Sequence, residues 1–417
     1  MIPLEKNVLR LPRISLKDDN ECSENQQIMK IGIVTLPLHI NYGGYLQNYA
    51  LQVVLRGLGH EPITLNQRPR KKGVKEYINT IFKPNLKTFF LSLVGKRGGR
   101  SYEHMHRKKL RPILWGKSLY FYDKYIEHTE VLNPNKDFKK ICAKYQLDAL
   151  IAGSDQVWRP RYVENLSTNF LAFESCNSVR KISYAASFGT DQWEYGGKET
   201  AECSKYINEF SLVAVREKSA VSMCLVHFGV EAYQVLDPTL LLEKKDYIKI
   251  VEDEKEPKSE GNLFCYILDN SPFKKDIVND VASKYGLTPF YVNIGESTIH
   301  YSESYILSNI ERFKNPSVTK WLRGFMDAEM VIADSFHAVA FSIIFNKPFW
   351  VIGNRNRGLS RFSSILEMFH LEHRLVDDNV TDASIRWDEP IDWVEVNRIR
   401  SEWKTLSIDI LTKGLTR

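Results

Sequence analysis

IGIVTLPLHINYGGYLQNYALQVVLRGLGHEPITL, residues 31–65, carries the clearest structural pattern in the chain. Its first six residues are an apolar run typical of a buried strand. Residues 45–58 have apolar side chains near helical spacing, Gly59 is placed to end that helix, and residues 62–65 begin a second strand. This order predicts a βαβ unit with parallel strands, in which Asn41-Tyr42-Gly43-Gly44 is the connecting loop.

The same alternation of short strands and helices continues along the chain. Further apolar strands are predicted at 148–153, 181–185 and 212–215, and then at 263–268, 289–293, 330–333 and 348–352. The second group alternates with helices predicted at 273–285, 317–326 and 335–345. The sequence therefore predicts an α/β protein with two Rossmann-like, doubly wound domains that face a cleft.

Changes in composition set the predicted domain boundaries. Residues 1–28 are polar and aperiodic, and they are predicted to form a disordered N-terminal extension. The first Rossmann-like domain is predicted at 29–242 and the second at 262–390. The charged stretch 243–261 is interpreted as the linker between them. Residues 391–417 are predicted to contain a C-terminal helix that packs across both domains.

Composition excludes several classes of protein. The chain has 417 residues, of which 43% are hydrophobic and 26% charged, as in ordinary globular proteins. Its apolar runs are shorter than the ~18–20 residues that span a bilayer, and its beginning lacks a signal peptide's apolar stretch. We therefore expect a cytoplasmic protein. The six cysteines form no Cys-x-x-Cys pair, so neither a zinc site nor a disulfide framework is indicated, and we expect reduced thiols.

Glycine motifs that hold nucleotide cofactors are also missing. Gly43 and Gly44 lack the full Gly-x-Gly-x-x-Gly spacing of an NAD site, and no Gly-Lys-Ser/Thr follows them as in a Walker loop. We expect neither a cofactor nor a metal ion.

Positive charge is concentrated in one segment, residues 68–117. It holds 15 Lys and Arg residues against Glu76 and Glu103, a net charge of +13, whereas the rest of the chain carries −7. The segment is predicted to be a basic helical insertion in the first domain. It is either a solvated hairpin or a surface that attracts phosphate groups or an anionic membrane. No nucleic-acid recognition motif accompanies it, so nucleic acid is not an expected partner. The membrane alternative would place the protein peripherally at the inner face of a membrane.

Candidate site residues follow the predicted strands, because open α/β sheets bind ligands at the carboxyl ends of their strands. Asn41, Gly43 and Gly44 precede a helix whose free N–H groups could hold an anion, although a tight turn without a ligand explains them equally. Ser154 and Asp155 could cap a helix, or Asp155 could accept a hydrogen bond from a sugar hydroxyl.

Basic residues follow strands in both predicted domains. Arg216 comes directly after the strand at 212–215 and could grip a carboxylate or phosphate with two parallel hydrogen bonds. Its alternative is an ordinary structural ion pair with Glu217 or with another carboxylate. In the second domain, His337 lies at the predicted beginning of a helix, where the dipole could hold a neutral base. Arg355, Arg357 and Arg361 follow the last strand and suit an anion, or else a solvated loop.

Six motifs give the chain a family resemblance. They are IGIVTL…NYGGYLQNYAL at 31–51, IAGSDQVWRP at 151–160, ISYAASFG at 182–189, VREKSAV at 215–221, VLDPTLLL at 235–242 and ADSFHAVAFSIIFNKPFWVIGN at 333–354. In this order and spacing the chain resembles the polysaccharide pyruvyl transferase family. The resemblance implies two domains of the glycosyltransferase-B kind. It also implies transfer of the enolpyruvyl-derived group of phosphoenolpyruvate to a sugar of a cell-surface polysaccharide or its lipid-linked precursor, as a cyclic ketal.

For this chemistry we expect His337 to be the general acid/base and Asp155 to be a contact or base for the sugar. Arg216 and Arg361, with Arg355 and Arg357, are expected to bind the donor's carboxylate and phosphate. The chain departs from the family at Ser335-Phe336-His337, where well-studied members have Arg-Leu-His. We expect the late arginines to supply the charge missing at Ser335.

Two other functions fit the same residues. A nucleotide-sugar glycosyltransferase would use the same cleft, with Gly43, Gly44 and the arginines on its diphosphate. A relative that had lost catalysis with the motif arginine would bind glycans without turnover.

Overall fold

Two parallel β-sheets organise the polypeptide. We describe them from a computed structural model, which describes residues 27–37, 41–67, 110–133, 137–163, 165–173, 179–269, 271–296, 301, 303–353, 359–376 and 389–416. The first sheet has the order β2-β1-β3-β4, and its strands are β1 (Lys30–Val34), β2 (Glu61–Thr64), β3 (Ala149–Ala152) and β4 (Arg180–Ser183). All of its neighbouring strands are parallel. The central strand β3 is buried along its whole length, as expected when helices cover both faces of a sheet.

A short parallel pair extends this first sheet. It consists of β5 (Ala214–Val215) and β6 (Tyr233–Gln234). Isolated bridges join Ile182 to Leu212 and Ala186 to Val215, so the pair lies beside β4.

The second sheet has the order β11-β10-β9-β7-β8 and is also entirely parallel. Its strands are β7 (Leu263–Tyr266), β8 (Pro289–Tyr291), β9 (Met330–Ala333), β10 (Phe349–Ile352) and β11 (Leu375–Val376). The predicted α/β fold with two Rossmann-like sheets is therefore confirmed.

Fourteen helices surround these sheets in the described part of the chain. They are α1 (Tyr42–Gly57), α2 (Gly116–Tyr125), α3 (Ile141–Tyr145), α4 (Leu166–Asn169), α5 (Gly197–Ile207), α6 (Lys218–Met223), α7 (Lys244–Asp253), α8 (Pro272–Tyr285), α9 (Glu303–Ser308), α10 (Ile310–Phe313), α11 (Val318–Asp327), α12 (Phe336–Phe345), α13 (Ser360–Met368) and α14 (Trp393–Leu415). None of these helices is long and apolar enough to cross a membrane.

The beginning of α1 differs from the prediction. Tyr42, Gly43 and Gly44 form its first turn, where a loop was expected. Gly43 is needed for space: a Cβ atom there would lie 2.0 Å from Nδ1 of His337. The glycine thus allows a helix of the first domain to approach a side chain of the second.

The segment predicted as a linker, 243–261, contains the helix α7. Its apolar side chains Tyr247, Ile250 and Val251 recur at helical spacing and are buried. The Tyr247 ring packs edge-on against Phe341 of α12, with the ring centroids 4.8 Å apart. The charged composition reflects the exposed face of an amphipathic helix.

Apolar packing joins the two halves of the molecule. One continuous core contains side chains from around both sheets, including Tyr45, Ile151, Phe264 and Phe341. Tyr42 of α1 stacks on Trp321 of α11 at 5.8 Å, and its hydroxyl donates to the backbone carbonyl of Pro316. The two domains are in direct contact over this surface.

The C-terminal helix α14 returns to the first domain. Ser407 Oγ accepts the backbone N–H of Leu236 at 2.9 Å, and Arg400 Nε donates to the carbonyl of Leu240 at 3.1 Å. Near its end, Gly414 lies against Ile182 of β4.

The predictions for the N-terminal extension, the basic insertion and the cysteines have different outcomes. Most of the predicted extension, residues 1–26, and most of the basic insertion, residues 68–109, lie outside the described residues. Cys203, Cys224 and Cys265 are free and buried, as expected. The expectation of a reduced thiol is wrong for Cys142, which is disulfide-bonded.

Candidate active site

Loops at the carboxyl ends of the strands of both sheets meet in one polar cluster. Asp155 follows β3, Arg216 and Glu217 follow β5, Asp237 follows β6, and His337 begins α12 after β9. All five are buried, with exposed fractions between 1% and 6%. Because polar groups of this kind are costly to bury, their mutual contacts determine whether the arrangement is stable.

Asp237 lies at the centre of the cluster, and the sequence analysis did not single it out. Its Oδ1 accepts the backbone N–H and the hydroxyl of Thr239 at 3.0 and 2.8 Å. Its Oδ2 accepts Ser154 Oγ at 2.8 Å and Arg216 Nη1 at 3.1 Å. A signal was present, since Asp237 stands in the motif VLDPTLLL, shortly after β6.

His337 reaches this carboxylate from the second domain. Its Nε2 lies 3.7 Å from Oδ2 of Asp237, and it has no hydrogen-bond partner among the described residues. On its other side, the ring faces Gly43 in the first turn of α1. The imidazole is therefore held between a carboxylate and a helix N-terminus, both contributed by the first domain.

Two helix N-termini converge at this point. Asn41 precedes α1 and Ser335 precedes α12, and neither side chain caps its helix. Asn41 instead donates its amide to Oδ2 of Asp155 at 3.1 Å. Uncapped N-termini present backbone N–H groups and a positive dipole end, which together favour an anion.

Arg216 is fully engaged by protein groups. Its Nε donates to Glu217 Oε1 at 3.0 Å, its Nη1 to Asp237, and its Nη2 to Ser187 Oγ at 3.3 Å, while Asp155 lies at 4.0 Å. The guanidinium also stacks on the Phe336 ring, 4.1 Å from its centroid. These contacts are the structural ion pairs that the sequence analysis gave as the alternative for Arg216. Contact between Arg216 and a donor anion stays a prediction.

Asp155 has an uncommon backbone conformation, with φ of 75°. Few non-glycine residues adopt this left-handed region, although Asp does so more readily than most, and such residues cluster at functional sites. Here Asp155 forms a bridge with Ala186 and binds Asn41. Contact between Asp155 and a sugar stays a prediction. The hydroxyl of Ser154 donates to Asp237, and contact between Ser154 and a substrate also stays a prediction.

Arg361, on α13, belongs to the same charged group. Burial and the charge of Arg216 lower the pKa of Arg361, while Asp155 and Glu217 act in the opposite direction. Arg355 and Arg357 lie outside the described residues. Arg361 is thus the one late arginine that the described residues bring to the cluster, and its donor contact stays a prediction.

Electrostatics keeps the central carboxylate ionised. Burial alone would raise the pKa of Asp237, but His337, Arg216 and the Thr239 N–H hold that pKa well below its usual range. Burial alone would lower the pKa of Arg216, but Glu217, Asp237 and Asp155 raise it. Three acidic side chains therefore lie beside two arginines and His337 in this cluster.

Such a cluster suits proton transfer beside an anion. A histidine next to an ionised aspartate can donate and accept a proton, and the uncapped helix ends and Arg361 supply positive potential. No group of three His, Cys, Asp or Glu in the described residues has the arrangement of a metal site. The expectation of no cofactor stays a prediction.

Solved structures with a similar chain course include UDP-GlcNAc 2-epimerases and an O-GlcNAc transferase. UDP-GlcNAc 2-epimerase from Methanocaldococcus jannaschii is 10% identical, with 89% of this chain and 92% of that chain covered and a TM-score of 0.46. The same enzyme from Neisseria meningitidis, bound to UDP-GlcNAc, is 10% identical over 92% and 100%, with a TM-score of 0.46. An O-GlcNAc transferase mutant from Thermobaculum terrenum is 9% identical over 93% and 63%, with a TM-score of 0.38.

Sequence comparison identifies the family. No curated protein matches the chain. The family model for polysaccharide pyruvyl transferase matches residues 41–356, which include the helix α1, Asp155, Arg216, Asp237 and His337. The predicted resemblance is confirmed, and the chain belongs to the polysaccharide pyruvyl transferase family, a family of transferases.

Proposed function

We propose that this protein transfers the enolpyruvyl-derived group of phosphoenolpyruvate to a sugar, as a cyclic ketal, in the synthesis of a cell-surface polysaccharide. The observation that carries the proposal is His337, held 3.7 Å from the ionised Asp237 at the uncapped N-terminus of α12. Ketal formation begins with protonation of an enol, and this pair suits that step.

The proposed reaction runs in three steps. His337 gives a proton to C3 of phosphoenolpyruvate, and C2 becomes electron-poor. A sugar hydroxyl then forms a bond to C2 and loses its proton. Phosphate leaves with the electron pair of the C2–O bond. A second hydroxyl of the same sugar then forms its bond to C2 and loses its proton to the departing phosphate, which closes the ring. The net products are the ketal and inorganic phosphate.

Donor binding is proposed to use the positive features of the cluster. The first turns of α1 and α12 and the guanidinium of Arg361 offer positive potential to phosphate and carboxylate. Arg216 is assigned an indirect part: by binding Asp237, Glu217 and the Phe336 ring, it fixes the groups beside His337. Arg361 takes the place of the family's arginine missing at Ser335.

The acceptor is proposed to be a sugar of a lipid-linked polysaccharide precursor. The basic segment 68–117, with its net charge of +13, would bring the enzyme to an anionic membrane surface by attraction that salt screens. Most of this segment lies outside the described residues, so the support for membrane contact is the net charge of the segment.

The test is phosphate release from phosphoenolpyruvate in the presence of candidate acceptors. We expect release by the wild type that requires both substrates, and none by His337→Gln. Thermal stabilisation by phosphoenolpyruvate, measured beside a panel of UDP- and GDP-sugars, separates the proposal from a glycosyltransferase. Stabilisation by a nucleotide sugar alone would contradict the proposal. Stabilisation by glycans without phosphate release would favour a catalytically inactive glycan-binding protein.

A further inference from the structure

Glu217 is a buried carboxylate that the proposed mechanism does not yet use. It is 2% exposed. Its Oε1 accepts Arg216 Nε at 3.0 Å and Ser187 Oγ at 2.7 Å. Its Oε2 is buried and has no hydrogen-bond partner among the described residues. A buried carboxylate oxygen without a donor is costly, which marks a position where a hydrogen-bond donor is favoured.

The residues around Glu217 include the chain neighbour of His337, which is the proposed acid. It lines a cavity of about 10 Å³ together with Arg216, Asp237, Phe336 and Ser364. Phe336 is the residue directly before His337, and Ser364 on α13 accepts the backbone N–H of Lys218 at 3.0 Å. The cavity therefore lies where the two domains meet. A cavity of this size has room for one water molecule at most, so a larger ligand requires the domains or side chains to move apart.

Chemistry restricts what Oε2 can bind. A carboxylate oxygen repels the phosphate and carboxylate of phosphoenolpyruvate, so the donor's anionic groups are excluded as its partners. A hydroxyl group fits, because it donates a hydrogen bond and can release its proton. In the reaction proposed above, the acceptor sugar is the reactant that brings hydroxyls.

We propose that Glu217 is a second catalytic residue, which binds the acceptor's attacking hydroxyl through Oε2 and takes its proton. This inference rests on the proposed function. As the sugar oxygen forms its bond to C2, its O–H bond breaks and the proton passes to Glu217. His337 supplies the proton that C3 receives. One residue thus gives a proton while another takes one, so a single histidine need not do both in the same step.

The variant Glu217→Gln tests this role. Its amide oxygen can still accept from Arg216 and Ser187, while an NH₂ group replaces Oε2 and cannot take a proton. The probes are phosphoenolpyruvate and methyl glycosides of glucose, galactose, mannose and their N-acetylamino analogues, with phosphate release as the readout. We expect kcat to fall by ~10²–10⁴-fold and the KM for the glycoside to rise at least about tenfold. The KM for phosphoenolpyruvate should stay near wild type, and the melting temperature should fall by no more than about 3 °C, because Arg216 keeps Asp237 as a charged partner.

Two further variants separate a catalytic role from a structural one. Glu217→Ala leaves space for a small carboxylate, so added formate should restore part of its turnover. Glu367→Gln is the matched control, because Glu367 is an exposed carboxylate that pairs with Lys218 at 3.1 Å outside the cluster. It should behave as wild type.

Each outcome decides the inference. Glu217→Gln with wild-type kcat and glycoside KM would overturn it. A parallel rise in KM for both substrates with an unchanged kcat would show that Glu217 only supports Arg216, and would also overturn it. A wild type that releases no phosphate with any glycoside would instead refute the proposed function on which the inference depends.

Discussion

Replacing Asp237 by Asn removes the charge at the centre of the cluster and keeps its shape. The carboxylate accepts hydrogen bonds from Ser154, Thr239 and Arg216, and it is fully buried. Breaking a buried ion pair costs ~3–5 kcal/mol because the remaining charge loses its partner. Arg216 keeps Glu217 at 3.0 Å, so we expect the lower end, ~3 kcal/mol.

This loss has a measurable size and a pH dependence. With an unfolding entropy of ~2.1 cal/mol/K per residue, ~3 kcal/mol lowers the melting temperature of a 417-residue chain by about 3 °C. The folded pKa of Asp237 lies below its unfolded value of ~3.9, so its stabilisation is fully present above about pH 5. The stabilisation is lost as the pH falls below about 4 toward the folded pKa.

Calorimetry from pH 7 to pH 3 tests this reasoning. The difference between wild type and Asp237→Asn should be constant down to about pH 5 and then shrink. Turnover should fall ~10²-fold, because His337 loses the negative charge that lies 3.7 Å from its Nε2. Asp253→Asn is the control, since Asp253 forms an exposed pair with Lys249. A difference that persists unchanged at pH 3, or an Asn variant as stable as wild type at pH 7, would show that the buried carboxylate is not ionised.

Four other outcomes are expected. His337→Ala and His337→Gln should lower kcat by ~10²–10⁴-fold with near-normal circular dichroism, and normal turnover by both would remove His337 from the mechanism. Gly43→Ala should reduce turnover at least about tenfold, because its Cβ atom would displace the His337 ring, whereas Gly197→Ala, which has open space, should not. Arg361→Ala should raise the KM for phosphoenolpyruvate at least about tenfold, and an unchanged value would leave Ser335 without a substitute. The protein should co-sediment with anionic but not neutral vesicles, and the binding should disappear at high salt or when four charges in 68–117 are reversed; equal recovery in the supernatant with both vesicles would contradict this.

The sequence predicts which residues follow the strands better than it predicts the contacts between those residues. Parallel strands place their carboxyl ends on one edge, so residues that follow apolar runs come together whatever the details of the sheet. That is why Asp155, Arg216 and His337 could be chosen in advance. Asp237 was missed because β6 has only two residues and gives no apolar run to mark its end.

Partners far apart in sequence could not be read from the pattern. Arg216 is close to Glu217, which is its neighbour, but also to Asp237 and Asp155, which belong to other loops. Only the sheet order brings these groups around one guanidinium. In contrast, α7 could have been predicted, because its buried residues have helical spacing. The charged residues between them led to the interpretation of this segment as a linker.

Two domains contribute the pair of Asp237 and His337, and this arrangement has a consequence for the donor of the proposed reaction. Asp237 belongs to the first domain and His337 to the second, and Gly43 lets them approach. In the proposed reaction, any movement that parted the domains would separate this pair, and phosphoenolpyruvate held on one domain would then meet no assembled acid. Activation of C2 would be confined to the closed arrangement, in which the pair is buried. Under the proposed function, a site split in this way would protect the donor from hydrolysis.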